Sequence, residues 1–378
     1  MSGSGGQDQN GGELPLRDFC VQGFRAVRRL EIPDLRRVNL FVGKNNAGKS
    51  SLLEAIRLYL QRNERTVPGV IHEIVREHTD HRPIRFSEHQ RELDPSDLQF
   101  AIDSVESLFH GSFDGESFGP IVLHQTGTDA KQLAVRLPWN STSSPVAAPG
   151  EGGRPALIDP NAGLLELRTE AKVTEIPLEW FVRRLPADTS GRSSVALMIG
   201  ASGFSALRTR QMWDRVSLAG QESLVEEALR TIVPELERVL LIGESGQRSI
   251  LLKLNGVARP VPMQGMGDGV NRVFGIAVAL ILASGGALLI DEVENGLHYS
   301  IQEEVWGAIF ALASRFHVQV FATTHSWDSV LGFQQAAASH PGQGVLYRLE
   351  RMSTGEINPV AFTDADVAIA ARHDVEIR

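Results

Sequence analysis

Gly43-Lys44-Asn45-Asn46-Ala47-Gly48-Lys49-Ser50 reads G-x-x-x-x-G-K-S, the spacing of a phosphate-binding loop. The residues before it, Val38-Asn39-Leu40-Phe41-Val42, are mostly apolar and strand-forming. After it, Leu52, Leu53, Ile56, Tyr59 and Leu60 recur at helical spacing through residues 51–61. A loop set between a strand and a helix is the context that gives the motif its meaning. The glycines let the backbone turn tightly and aim N–H groups at phosphate oxygens, and the helix adds the positive end of its dipole. Lys49 is expected to reach the outer phosphates, and the Ser50 hydroxyl to hold Mg²⁺. Gly43, Asn45, Asn46, Ala47, Gly48 and Ser51 complete the expected cradle.

Bulk properties narrow the field around this loop. Charged residues are 22% and hydrophobic residues 42% of the 378, the composition of a soluble globular protein of one large or two modest domains. A net charge of −9 gives no general attraction to nucleic acid. The single cysteine, Cys20, excludes an internal disulfide framework, fits a reducing compartment and reads as a small buried hydrophobe. Residues 1–12 are Gly, Ser, Gln, Asn and Asp without an apolar run, a disordered tail rather than a signal peptide. The longest apolar run, 273–283, is too short to span a bilayer, so the expected location is the cytoplasm, away from any membrane.

Along the chain, 19–32 reads as one or two strands leading to the loop strand. Residues 63–97 are strongly charged and include His72, His78, His81 and His89, whose spacing fits no compact ligand set. A solvated helical surface is the expectation there, with helical spacing resuming over 98–109. Residues 121–137 and 156–173 look like strands bracketing a Ser-, Pro-, Gly- and Ala-rich loop at 140–154, and 175–200 holds further strand-forming segments. Helical period runs over 204–239, broken at Pro234, and a hairpin of 240–242 with 249–254 follows. The expected organisation is a tail over 1–14, the first part of a nucleotide-binding frame over 15–62, an inserted helical and β-rich region over 63–240, and the rest of the frame over 241–378.

The later part supplies the complementary chemistry. Gly267-Asp268-Gly269 opens a long helix over 270–284. Ala287-Leu288-Leu289-Ile290 reads as a buried parallel strand ending in Asp291-Glu292, the Walker B arrangement. There the first carboxylate holds the Mg²⁺ shell and the second polarises the attacking water. Val293-Glu294-Asn295-Gly296-Leu297-His298 turns into an amphipathic helix carrying Ile301, Val305, Ile309 and Leu312. A second strand, 318–324, ends at His325, which can bond the γ-phosphate or orient the water. Acids and imidazole at strand carboxyl ends belong at one edge of one sheet, where open α/β sheets bind ligands.

These words together resemble the ABC-type ATPase head of the RecF/SMC/OLD superfamily, in particular the AAA-family ATPases of bacterial anti-phage systems of the PARIS type. The resemblance is carried by Phe24-Arg25, Val42 through Ala55, Met266 through Gly269, Ile290 through His298, and Thr323-Thr324-His325-Ser326. It implies an α/β head with a mostly parallel core sheet, an N-terminal antiparallel β portion and an inserted region. It also implies ATP and Mg²⁺ as cofactors, with Ser50 and Asp291 on the metal. Glu292 would be the catalytic base, His325 the switch histidine and Gly267-Asp268-Gly269 the signature segment. Heads of this kind close head to tail, the signature of one copy capping ATP on the other, with Asn295–His298 as the D-loop at the seam.

Two departures accompany the resemblance. The usual signature serine is replaced, with Asp268 between the glycines, and the Q-loop glutamine has three candidates, Gln90, Gln99 and Gln132, none preferred. The interval from Lys49 to Asp291 lacks the heptads of an SMC arm. OLD-type proteins carry a Toprim nuclease after the head, and the residues after His325 are too few for one. The acidic tail around Asp364, Asp366 and Asp374 reads as a solvated end. The effector is therefore expected to be a separate protein, a Toprim-like nuclease or toxin, controlled by a self-associating ATPase. The alternatives are a RecF-like repair ATPase clamping DNA through Arg25, Arg28, Arg29, Arg36 and Arg37, and a nucleotide-gated interaction module with slow turnover.

Overall fold

The structure is a computed structural model and describes residues 13–63, 66–78, 102–111, 119–126, 131–137, 164–169, 172–178, 181, 195–243, 248–363 and 366–367. His81, His89, Gln90, Gln99, the 140–154 loop, Asp364, Asp374 and most of the N-terminal tail lie outside them.

The chain opens with β1 (Phe19–Phe24) and β2 (Val27–Ile32), an antiparallel hairpin, and then β3 (Val38–Val42), the loop strand. Helix α1 (Lys49–Leu60) follows the glycine-rich loop and packs on α2 (Val67–His78). Four strands, β4 (Ile121–His124), β5 (Gln132–Arg136), β6 (Leu164–Arg168) and β7 (Val173–Pro177), extend the opening hairpin into one antiparallel sheet of order β2-β1-β4-β5-β6-β7. β8 (Ala196–Ile199) leaves that sheet and joins the other.

Next come α3 (Ala206–Leu218), α4 (Glu222–Arg230), the strands β9 (Leu236–Ile242), β10 (Ser249–Leu254) and β11 (Val261–Pro262), and α5 (Asp268–Leu282). The chain closes with β12 (Ala287–Ile290), α6 (Gln302–Arg315), β13 (Gln319–Thr323), α7 (Trp327–Ala338), β14 (Gly344–Arg351) and β15 (Ile357–Phe362). Strands from both ends of the sequence make the core sheet, β15-β14-β3-β13-β12-β8, in which only the β14–β15 pairing is antiparallel.

This sheet is covered on both faces, as its near-continuous apolar strands require. Leu40, Leu288, Ile290, Val320 and Ala322 pack with α3 to α7. Their neighbours of opposite parity, Phe41, Leu289 and Phe321, pack with α1, α2 and the antiparallel sheet. Among the described residues no helix is long and apolar enough to cross a membrane.

Three expectations change. The helical period over 204–239 resolves into two helices and a strand. α3 ends in a Schellman arrangement, Gly220 at φ 66 donating to Ser217 O and Gln221 N to Val216 O. Pro234 cannot continue α4, and β9 begins two residues later, so Leu236 to Val239 pair with β10. The segment over 63–97 is not simply solvated where it is described, because α2 buries Val67, Val70, Ile71, His72, Ile74 and Val75. The signature helix starts at Asp268, two residues early, because Gly267 at φ 94 turns the chain directly into it.

Candidate functional site

The glycine-rich loop leaves β3 and enters α1 through two positions where only glycine fits. Gly43 has φ 149, and a Cβ there would lie 2.7 Å from Leu349 O. Gly48 has φ 88, and its Cβ would meet Ile357 Cδ1 at 2.7 Å. Asn46 is also left-handed, at φ 65. The Lys49 ammonium donates to Gly43 O at 2.6 Å and Lys44 O at 3.2 Å, within the mouth of the loop. Burial pushes its pKa below the ordinary lysine value, against the pull of Asp291, Glu294 and Glu292.

The acids come from the neighbouring strand ends. Ser50 Oγ donates to Asp291 Oδ2 at 2.9 Å, joining loop and β12 across 241 positions of sequence. Thr323 Oγ1, at the end of β13, donates to the other Asp291 oxygen at 2.5 Å and accepts the Glu292 N–H at 2.9 Å. Glu292 itself has φ 49, a strained conformation for a side chain of this size. Its carboxylate accepts from Asn295 Nδ2 at 2.6 Å. Glu294, 9% exposed, accepts the His325 backbone N–H at 2.9 Å and lies 3.2 Å from His325 Nδ1, whereas Glu292 Oε1 is 3.8 Å from that nitrogen.

Mg²⁺ fits the Ser50–Asp291 pair on geometry. Adjacent ligands of an octahedral Mg²⁺ at about 2.1 Å stand about 3 Å apart, the separation these two oxygens already have. Two protein oxygens are enough, since Mg²⁺ takes its remaining ligands from phosphate and water. Bound there by Ser50 and Asp291, it would supply positive charge against the outer phosphates.

Gly267, Asp268 and Gly269 stand at the start of α5, where they abut Gly296 of their own chain. A Cβ on Gly269 would fall 2.9 Å from Gly296 O, and one on Gly296 2.8 Å from Asp268 Cβ. The two segments are therefore packed backbone against backbone.

Sequence reasoning missed Arg272 and Thr323, and gave Glu294 no role although its carboxylate accepts the His325 backbone N–H and lies beside the imidazole. Of the three glutamine candidates, Gln90 and Gln99 lie outside the described residues. The segment leaving β8 beside Asp291 is Gly200-Ala201-Ser202-Gly203, which contains none, and Gln132 begins β5 in the antiparallel sheet. The five N-terminal arginines are occupied or buried. Arg25 pairs with Glu54, Arg29 with Glu31 and Arg36 with Asp34, Arg28 donates to Thr354 O, and Arg37 is 3% exposed.

Comparison with known proteins places this geometry. A family model described as an AAA ATPase domain matches residues 16–103. A second AAA-domain model, whose description names the AbiEii toxin and the type IV toxin–antitoxin system, matches residues 173–332. A Helicobacter pylori protein named ATP/GTP phosphatase is 20% identical over 327 residues, 83% of this chain and 86% of that protein. Uncharacterized protein MJECL10 of Methanocaldococcus jannaschii is 46% identical over 49 residues, 13% of this chain, which spans 22% of that protein's length.

Among solved structures, an SMC head bound to the C-winged helix domain of ScpA matches with a TM-score of 0.52 at 13% identity, covering 92% of this chain and 97% of that one. An SMC head with an extended coiled coil, bound to the C-terminal domain of ScpA derived from Pyrococcus furiosus, matches at 0.50 and 12%, covering 95% and 98%. At such identities the likeness is one of fold. AAA-domain models match on both sides of the phosphate-loop-to-acid contact, which makes the chain an ATPase, and its fold is that of an SMC head.

Proposed function

We propose that two copies of this chain close head to tail on Mg²⁺-ATP, and that the nucleotide state of the pair controls a separate effector, a nuclease or toxin, in defence against phage. The observation that carries the first half is the direct Ser50–Asp291 contact beside Lys49, Glu292 and His325. In the reading we favour, Gly43 to Ser51 wrap the phosphates, Lys49 neutralises the outer ones, and Ser50 and Asp291 hold the metal. Glu292 takes a proton from the attacking water, and His325 bonds the transferring phosphoryl group. Gly267 to Gly269 of the partner copy cover the same triphosphate, so contacts that exist only with the γ-phosphate hold the pair closed.

The effector half is supported by the toxin–antitoxin description of the matching AAA model and by the partner seated on the related SMC head. The clamp alternative draws less support, since four of its five arginines pair with groups of their own chain.

Glu292→Gln tests both halves. Loss of the base lowers turnover about 100- to 1,000-fold while ATP binding and ATP-dependent self-association persist. Purified with ATP from a host carrying its neighbouring genes, this variant should hold a nuclease or toxin in stoichiometric amount by mass spectrometry. DNA-stimulated turnover falling steeply with salt, with no such protein attached, would overturn the defence reading in favour of the clamp.

A further inference from the structure

The α5 helix carries one charged side chain into an otherwise apolar interior. Arg272 is 6% exposed, in a helix whose buried residues are otherwise Val, Phe, Gly, Ile, Ala and Leu. Such a cation is costly to bury, and burial drives its pKa down against the pull of Glu294, Asp291 and Glu292. Among the described residues no carboxylate bonds it directly. Its guanidinium instead donates to three backbone carbonyls at two strand ends: Gly200 O after β8 at 2.9 Å, Asp291 O at 2.6 Å and Glu292 O at 2.8 Å after β12. Its Nε has no partner.

These carbonyls are not ordinary ones. Glu292 holds its carboxylate through a left-handed backbone at φ 49, a conformation that persists only when surroundings over-determine it. Thr323 fixes the Glu292 N–H, Asn295 its carboxylate and Arg272 its carbonyl. Arg272 also lies one helical turn from Asp268, on the same side of α5. Its three bonds therefore join the start of the capping helix to the backbone that sets the direction of the base.

Resting on the proposed function, we infer that Arg272 is a positioning residue: it orients Glu292 for attack and makes that orientation depend on how α5 sits. When the start of α5 settles on a triphosphate held by the other copy, the helix carries Arg272 with it, and Arg272 sets the Asp291–Glu292 turn of its own copy. Closure at one site would then arm the base of the other. Arg272 touches neither phosphate nor water in this scheme and acts through Glu292 alone.

The test compares Arg272→Met, Arg272→Lys, Glu292→Gln and the Arg272→Met/Glu292→Gln double variant. A cavity of about 490 Å³ borders Arg272, which gives the replacement side chain room. Arg272→Met is expected to bind a fluorescent ATP analogue with Mg²⁺ within twofold of wild type, to self-associate with ATP, and to lose at least 30-fold in kcat. Arg272→Lys should recover part of kcat, since an ammonium can reach at least one of the carbonyls. The double variant should turn over no more slowly than Glu292→Gln, because both lesions act on one group.

A kcat within threefold of wild type for Arg272→Met overturns the proposal. So does an equal fall in ATP affinity and kcat, which marks a merely structural role. If Arg272→Met does not fold, Arg272→Lys is decisive: wild-type kcat from a side chain that cannot make all three bonds sinks the inference. Should Glu292→Gln hydrolyse ATP normally while Arg272→Met does not, the base is another residue, and the inference that Arg272 acts through Glu292 is overturned with it.

Discussion

The starts of α1 and α5 are built alike and surrounded differently. Each follows a glycine in the left-handed region, Gly48 at φ 88 and Gly267 at φ 94, and neither has a side-chain cap. Both keep free backbone donors and the positive end of a helix dipole. At α1 the chain itself closes in: Ile357 fills the space above Gly48, Ser50 touches Asp291, and three carboxylates pull on Lys49. At α5 a Cβ on Gly267 would meet nothing within 4 Å, and Asp268 is exposed. At the glycine that precedes each helix, the start of α1 is closed in by its own chain and the start of α5 is open. The contrast fits a head-to-tail pair, in which each triphosphate meets α1 of one copy and α5 of the other.

The largest effect should come from emptying the α1 side. Lys49→Ala removes the charge-assisted bonds to the outer phosphates and is expected to lower ATP affinity at least about 100-fold. Titration with a fluorescent ATP analogue measures this directly. Unchanged affinity would mean that α1 is not the primary phosphate terminus.

The next test splits the two termini between molecules. Gly267→Glu sets a carboxylate where a partner's triphosphate would approach, in open space that does not disturb the fold beyond the backbone strain at φ 94. Alone, Gly267→Glu and Lys49→Ala should each be nearly inactive. Mixed in equal amounts, half of the pairs are mixed, and each has one composite site with both termini intact. The composite site should bind the ATP analogue and hold the mixed pair together, with turnover at most about a quarter of wild type because its base lies on the copy whose own α5 is blocked. No ATP-dependent pairing in the mixture would place both termini of a working site in one chain.

The α1 half was legible because its signal is local: strand, glycine spacing, Lys-Ser and helix fall within about two dozen residues. Asp291-Glu292 could be paired with it because a fully apolar strand has one obvious partner surface in a parallel sheet. What stayed hidden depends on contacts across the chain. Arg272 did leave a trace, a lone cation in the apolar run Val270 to Leu282, where long charged side chains are rarely buried unless paired. Its carbonyl partners carry no side-chain signature and could not be read. Thr323 sits in an all-buried strand and looks structural until its hydroxyl is seen on Asp291. Two of the N-terminal arginines have partners that no local reading reveals, Glu54 for Arg25 and Thr354 O for Arg28.

Thr323 supplies a smaller effect on the α1 side. Thr323→Val keeps the shape but removes the hydroxyl that orients Asp291, and outer-shell losses of this kind weaken metal binding about 10-fold. ATPase activity titrated against Mg²⁺ at saturating ATP should show the midpoint rising with the maximum rate nearly kept. If only the maximum rate falls, Thr323 serves Glu292, whose N–H it also accepts, rather than the metal.

The smallest effect belongs to the antiparallel sheet, which holds none of the candidate site residues and serves as the control for the rest. Cys20 on β1 is 6% exposed, and burial, helped by Glu31 and Asp18, pushes its thiol from 9.0 up to about 11. A folded-state pKa above the unfolded one means that the contribution is intact below pH 9 and disappears as pH climbs through 11, because the unfolded thiol ionises first. Wild type should therefore lose about 2 kcal/mol relative to Cys20→Ala between pH 8 and pH 11, read from urea midpoints. The same variant should turn over ATP within twofold of wild type at pH 7.5. A Cys20→Ala protein with intact stability but crippled turnover would show that the two sheets are not functionally separate, and the contrast between α1 and α5 would then have to include the sheet beneath α1.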